Sequence, residues 1–190
     1  MELPTERTPA SRKSPRLLTL FGQSKVGKTT TLATLDNCLI IDTEQGTDMV
    51  DAMKVQCNTL QEVMAVLKAL REKEDKYDYI ALDTIDNIVN WMEEFVCASE
   101  GVKTIGDLDF GKGYAMVRDN VMKIISQLKT LATKGLILIG HRKKTLIANE
   151  TDIKVNTSSL DLSGKLKNFI MADSDAIGYV FRDAEGVLKV

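Results

Sequence analysis

Cysteine is scarce in this chain: Cys38, Cys57 and Cys97 are odd in number and far apart. They supply neither a disulfide framework nor the paired spacing of a zinc site, and they imply a reducing cytoplasm. Histidine is scarcer, with His141 alone. No apolar run approaches the ~18 residues that span a bilayer, and the N-terminus lacks the apolar stretch of a secretory signal, so no membrane partner is expected. Charge of neither sign dominates. A net charge of −2 excludes a chain drawn bodily to nucleic acid; only a local patch or an assembly could do that. No internal repeat or low-complexity block interrupts the sequence. What is present is ordinary for a globular protein, with 44 % hydrophobic and 27 % charged residues among 190. That length fits one domain with a full core.

Met1–Pro15 is polar and carries all three prolines, so residues 1–15 read as a flexible tail and 16–190 as one domain. Strand and helix patterns then alternate. Leu17–Phe21 and Cys38–Asp42 are short apolar strands, with Met53–Cys57 a shorter third. Thr59-Leu-Gln-Glu62 has capping-box spacing and opens a helix to about Glu74, with Leu60, Val63, Met64, Leu67 and Leu70 on one face. Tyr79–Asp83 is the next strand, and Ile85–Ser99 an amphipathic helix. Val102–Gly113 reads as a glycine-bearing loop, Tyr114–Lys134 as a long helix and Leu136–Gly140 as a near-continuous apolar strand. Strands without polar alternation, separated by helices, imply an α/β fold with a mostly parallel sheet flanked by helices. Asp175–Val190 reads as a C-terminal β-hairpin turning at Asp183–Gly186, the end of a minimal or a trimmed domain.

The most specific motif lies between the first strand and the first helix. Gly22-Gln-Ser-Lys-Val-Gly-Lys-Thr29 fits G-x-x-x-x-G-K-[ST], the phosphate-binding P-loop. Gly22 and Gly27 let the backbone through Gln23, Ser24, Lys25 and Val26 wrap a polyphosphate with its N–H groups inward, and Thr30 continues the cradle into the helix. Lys28 would reach the β- and γ-phosphates, and the Thr29 hydroxyl would ligate Mg²⁺. The implied ligand is ATP with Mg²⁺. Lys25 is read as an exposed loop charge: in dimeric partitioning-type ATPases the signature lysine lies nearer the start of the loop.

In a parallel sheet of this kind ligands sit at the carboxyl ends of the strands. Asp83 ends an apolar strand and precedes a helix, the place of a Walker-B aspartate on Mg²⁺; its plainer reading is a helix N-cap. Glu44 is placed to orient, or take a proton from, water attacking the γ-phosphate, or else it is a solvated strand-end charge. His141 follows an apolar strand, where it is either a γ-phosphate sensor or a structural histidine. Arg142-Lys143-Lys144 then sets three adjacent cations that could contact phosphates; no aromatic interleaves them, and a basic surface hairpin explains them equally.

At these residues the sequence resembles a known group. Ile40-Ile41-Asp42-Thr43-Glu44, with the glutamate after the second strand, resembles RecA-type ATPases, and the resemblance implies that Glu44 is their catalytic glutamate. Asp83-Thr84 matches their Walker-B pair, and Gly140-His141 falls where they carry a polar sensor, with histidine replacing the usual glutamine. The P-loop, Asp42-Thr43-Glu44, Phe110-Gly-Lys-Gly-Tyr114, Gly140-His141 and Ala172-Asp173 together resemble small phage-encoded RecA-like nucleotide-binding proteins, over about Leu17 to Arg182. The resemblance implies a RecA-like core and catalysis by Lys28, Glu44 and His141. It also implies single-stranded DNA, further copies of the chain and a phage single-strand-binding protein as partners, in the cytoplasm of a host cell. Two other classes stay open: a non-catalytic nucleotide switch or assembly factor, and a small-molecule kinase. A kinase would want an arginine-rich lid, whereas Arg16, Arg71, Arg118, Arg142 and Arg182 form no cluster in the sequence.

Overall fold

A computed structural model describes residues 3, 5–7, 9–148, 154–162 and 165–190, with the backbone alone at 145–148 and 154–157. In chain order the elements are β1 (Leu17–Gly22), α1 (Lys28–Leu32), β2 (Cys38–Asp42), β3 (Met53–Gln56), α2 (Leu60–Glu72), β4 (Tyr79–Asp83) and α3 (Ile85–Glu100). There follow two single 3-10 turns, then α4 (Lys112–Leu131), β5 (Gly135–Ala148), β6 (Lys154–Leu160), α5 (Leu166–Asp173), β7 (Ala176–Arg182) and β8 (Leu188–Lys189).

The strands lie in the order β3-β2-β4-β5-β1-β7-β8, parallel from β3 to β7 with β8 antiparallel at the edge. This is the expected α/β architecture with its C-terminal hairpin. The order places β1, and therefore the P-loop, between β5 and β7. All five residues of β2 are buried, which is why it reads as a continuous apolar run. On one sheet face Leu17, Leu82 and Leu136 pack with Leu67 of α2, Ile88 of α3, Val121 of α4 and Ile170 of α5. On the other, Leu20, Ile40, Ile137 and Ile139 pack with Leu32 of α1 and with Val180.

Several boundaries differ from those read in the sequence. The helix that the P-loop opens is regular only to Leu32; Thr34 and Leu35 then donate to carbonyls three residues back. A threonine-rich segment has little helical preference of its own, so the last turn tightens. The Thr59 hydroxyl accepts the Glu62 N–H at 3.2 Å, but the Glu62 carboxylate returns to the N–H of Asn58, not to that of Thr59. Met64, expected on the core face of α2, is 46 % exposed. The loop before α4 contains the two 3-10 turns, Ile105–Asp107 and Asp109–Gly111, so α4 starts at Lys112. The largest difference is β5. It runs on past Gly140 as an antiparallel ribbon with β6, in the register Arg142↔Leu160 to Ala148↔Lys154. Helix α5 was not apparent from the sequence.

Candidate functional site

The ends of β1, β2, β4 and β5 meet at one edge of the sheet, and the P-loop leaves β1 there. Gly22 is required by packing: a Cβ would lie 2.4 Å from the Val180 carbonyl oxygen of β7. Gly27, at φ +117°, takes a backbone conformation that side chains disfavour, and Lys25 is also left-handed at φ 61°. Gln23, Ser24, Lys25 and Thr30 are exposed, Val26 is buried, and Gly27 and Thr29 are half-buried. Lys28 is only 6 % exposed. Its ammonium folds back on the loop and donates to the carbonyls of Gly22 (3.3 Å) and Gln23 (3.0 Å). Burial holds it below the ordinary lysine range, against the pull of Asp83, Glu44 and Asp86.

Thr29 donates its hydroxyl to Asp83 Oδ2 at 2.5 Å, so the two residues singled out for Mg²⁺ are in contact. Asp83 is 4 % exposed. Burial pushes its carboxyl up to about 6, with Glu44 and Asp42 adding to the rise and Thr29 and Lys28 opposing it. Beside it, Asp42 accepts from the N–H groups of Glu44, Gly46 and Thr47 and from the Thr47 hydroxyl. Burial alone would raise Asp42, but these donors hold it below the usual carboxylate range. Asp42 thus shapes the loop that presents Glu44. Thr43 fixes the same loop to β4: its hydroxyl donates to Thr84 O at 3.0 Å and accepts the Thr84 N–H at 2.8 Å.

The Glu44 carboxylate reaches across that junction. Its Oε1 accepts from the Thr84 hydroxyl at 3.1 Å and lies 3.4 Å from His141 Nε2. The other ring nitrogen of His141 is 3.5 Å from Asp86 Oδ2, which also accepts the His141 backbone N–H at 3.2 Å. Hydrogen bonding to Asp86 raises His141 above the ordinary histidine range; burial opposes this, and the charges of Asp86 and Glu44 add to it. Asp86 was not singled out in the sequence, because an acid in the first turn of a helix is also what the helix dipole favours. Its signal was its place, three residues after the strand-end Asp83.

The structure separates the three cations that are adjacent in the sequence. Side chains alternate along a strand, so Arg142 turns away from Lys143. Its guanidinium hydrogen-bonds the Tyr179 hydroxyl and lies 5.7 Å over that ring. There it lines a cleft of about 360 Å³ with Gln23, Ser24, Lys25, Tyr179 and Arg182. Lys143 is 62 % exposed and 3.5 Å from Asp161, and Lys144 is exposed on the ribbon. The predicted patch is two lysines on the ribbon and one arginine beside the P-loop. Among the described residues, no helix is long and apolar enough to cross a membrane.

The fold has recognisable counterparts. Residues 14–189 match the family model described as the AAA domain. No curated protein matches in sequence. Among solved structures, the RadB recombinase is 13 % identical, covering 90 % of this chain and 77 % of its own, with a TM-score of 0.51. The P4 protein from bacteriophage phi6, solved with ADP, is 16 % identical, covering 98 % of this chain and 62 % of its own, with a TM-score of 0.42. The family match spans nearly the whole described sheet and contains the P-loop, the strand-end acids and His141, so the chain belongs to the AAA domain family, a P-loop nucleotide-binding domain with a RecA-like fold.

Proposed function

We propose that this domain hydrolyses ATP with Mg²⁺ and couples that hydrolysis to single-stranded DNA in phage recombination, annealing or replication. The observation that carries the reading is the convergence of Lys28, the Thr29–Asp83 pair and Glu44 with His141 around one P-loop. The residues fit the cation. Thr29 and Asp83 are adjacent, hard oxygen donors, as Mg²⁺ requires. Among the described residues, no group of three or more His, Cys, Asp or Glu side chains is arranged to hold a metal ion by itself, so phosphate and water would complete the shell. When bound, Mg²⁺ neutralises charge on the β- and γ-phosphates.

The residues of the chain divide the remaining work. Lys28 exchanges its loop carbonyls for phosphate oxygens. Glu44 orients a water and accepts its proton as the water oxygen bonds to the γ-phosphorus and the β–γ bridging P–O bond breaks, giving ADP and phosphate. His141 lies beside Glu44 at the root of the β5–β6 ribbon that carries Lys143 and Lys144. A γ-phosphate held beside this pair would act on it through its charge, distinguish ATP from ADP and bias the ribbon. The partners this reading assigns are single-stranded DNA, further copies of the chain and a phage single-strand-binding protein. Because one acidic monomer offers a small cationic site, DNA binding is expected to need several subunits.

Phosphate release measured with and without single-stranded DNA tests the chemistry, and Lys28→Ala is expected to abolish it while leaving the fold. Turnover at the wild-type rate in that variant would overturn the assignment. Fluorescence anisotropy on labelled oligonucleotides tests the coupling. Tighter binding with a non-hydrolysable ATP analogue than with ADP is expected, and equal binding or none removes the DNA-coupled model.

A further inference from the structure

Asp86 has no part in the chemistry above, yet it grips His141 at two points. Its Oδ2 accepts the backbone N–H of His141 at 3.2 Å and faces ring Nδ1 at 3.5 Å. The first contact fixes where β5 passes the active edge; the second fixes which way the ring turns. On the far side of the ring, Nε2 is 3.4 Å from Glu44 Oε1. That oxygen also accepts the Thr84 hydroxyl at 3.1 Å. We propose that Asp86 is a positioning residue for ATP hydrolysis, acting through His141 to tie down Glu44 Oε1 and leave Oε2 as the oxygen that meets the attacking water. This inference rests on the ATPase reading.

The surroundings are built for that chain of contacts. Asp86 follows Ile85 and precedes Ile88, both fully buried, so its backbone is anchored at the start of α3. Its side chain is 17 % exposed and is directed at His141, away from open solvent, where a residue serving only the helix dipole would point. Gly140 leaves the space: a Cβ there would lie 2.2 Å from Leu160 Cδ1 and 3.6 Å from Asp86 Oδ2. With Nδ1–H given to Asp86, only a proton on Nε2 makes the contact with Glu44 attractive. In its protonated form the ring bridges the two carboxylates as a cation. The other charged groups around it are Lys28 of α1, Glu93 of α3, and Lys143 and Asp161 of the ribbon. They divide evenly in sign, so Asp86 and Glu44 decide the state of the ring.

A single histidine makes the test clean, because long-range ¹H–¹⁵N spectra of this chain contain one imidazole. At pH 6, below the raised native range of the ring, the intact protein is expected to show both ring nitrogens protonated, and Asp86→Asn to lose the second proton at lower pH than the intact protein. The same variant is expected to lower kcat about 10-fold or more with KM for ATP changed by less than about 3-fold, and Asp86→Glu to recover part of the loss. The alkaline limb of the rate profile should move to lower pH in Asp86→Asn. In a His141→Gln background, Asp86→Asn should cost little more, since its route to Glu44 is already cut. An equal loss in both backgrounds, or a neutral ring in the intact protein at pH 6, overturns the proposal. If Asp86→Asn does not fold, the ring state of the intact protein and of Asp86→Glu still decides it. A protein without ATP turnover but with the bridging cation would sink the ATPase reading and leave the contact chain intact.

Discussion

Asp42 and Asp83 end neighbouring parallel strands in the same register. Both are buried, at 1 % and 4 % exposure, yet they stand in opposite electrostatic conditions. Asp42 takes three backbone N–H groups and a hydroxyl, with the hydroxyl of Thr47 at 2.6 Å, and its carboxyl is held below the usual range. Asp83 takes the Thr29 hydroxyl alone among the described residues, and burial pushes it up to about 6. Burial by itself therefore does not mark a functional acid. An acid supplied with donors serves its own loop, whereas one left short of them is where a cation offsets the cost.

Removing the under-supplied charge should have the largest effect. Asp83→Asn is expected to abolish Mg²⁺-dependent ATP binding and turnover together, measured by calorimetry and phosphate release. The same variant, free of nucleotide, should melt a few degrees higher than wild type above pH 6. The sign follows from the raised carboxyl: stability is fully present below its ordinary pKa of 3.8 and lost as pH rises through about 6. A lower melting temperature there would show that Asp83 is structural after all. Glu44→Gln should come next, with ATP affinity kept within a few-fold and kcat lowered about 10²-fold or more; an unchanged kcat would favour a nucleotide switch.

Asp42→Asn sharpens the contrast from the other side. It should destabilise the fold by about 2 kcal/mol, because buried donors lose a charged acceptor, and cost activity only through the misplaced Glu44 loop. The Asp42 contribution is present above 3.8 and lost as pH falls through its lowered native value, so urea titrations between pH 3 and 7 should show opposite slopes for the two variants relative to wild type. The smallest effect belongs to the ribbon. Lys143→Ala with Lys144→Ala should weaken single-stranded DNA binding with a shallower salt dependence, leaving basal turnover unchanged; a salt slope equal to wild type would take these lysines out of the interface.

The strands and the P-loop were legible because β2, β4 and the start of β5 are buried on both faces and advertise themselves as apolar runs; the order of the strands in the sheet was not. The gathering of Glu44, Asp83 and His141 was legible too, since it follows from parallel strands sharing one carboxyl edge. The outer half of β5 was legible only as one of two alternatives, the basic surface hairpin, and its extent was not. It leaves the sheet to pair with β6 alone, and its polar residues carry no burial pattern to read. Asp86 hid behind the ordinary chemistry of a helix start. The contact of Arg142 with Tyr179 spans 37 residues in sequence and follows from which way two strands face above the shorter β1, which no local pattern reveals.

The neighbours of β1 carry a further consequence for how the chain reaches this state. The strand that feeds the P-loop is flanked by β5 and β7, both drawn from the C-terminal third of the chain, and Gly22 closes directly on the Val180 carbonyl. During synthesis the first strand must therefore wait for its partners. The polyphosphate cradle cannot be shaped until the residues of β7 have left the ribosome, so nucleotide can reward the finished sheet but cannot template the nascent one.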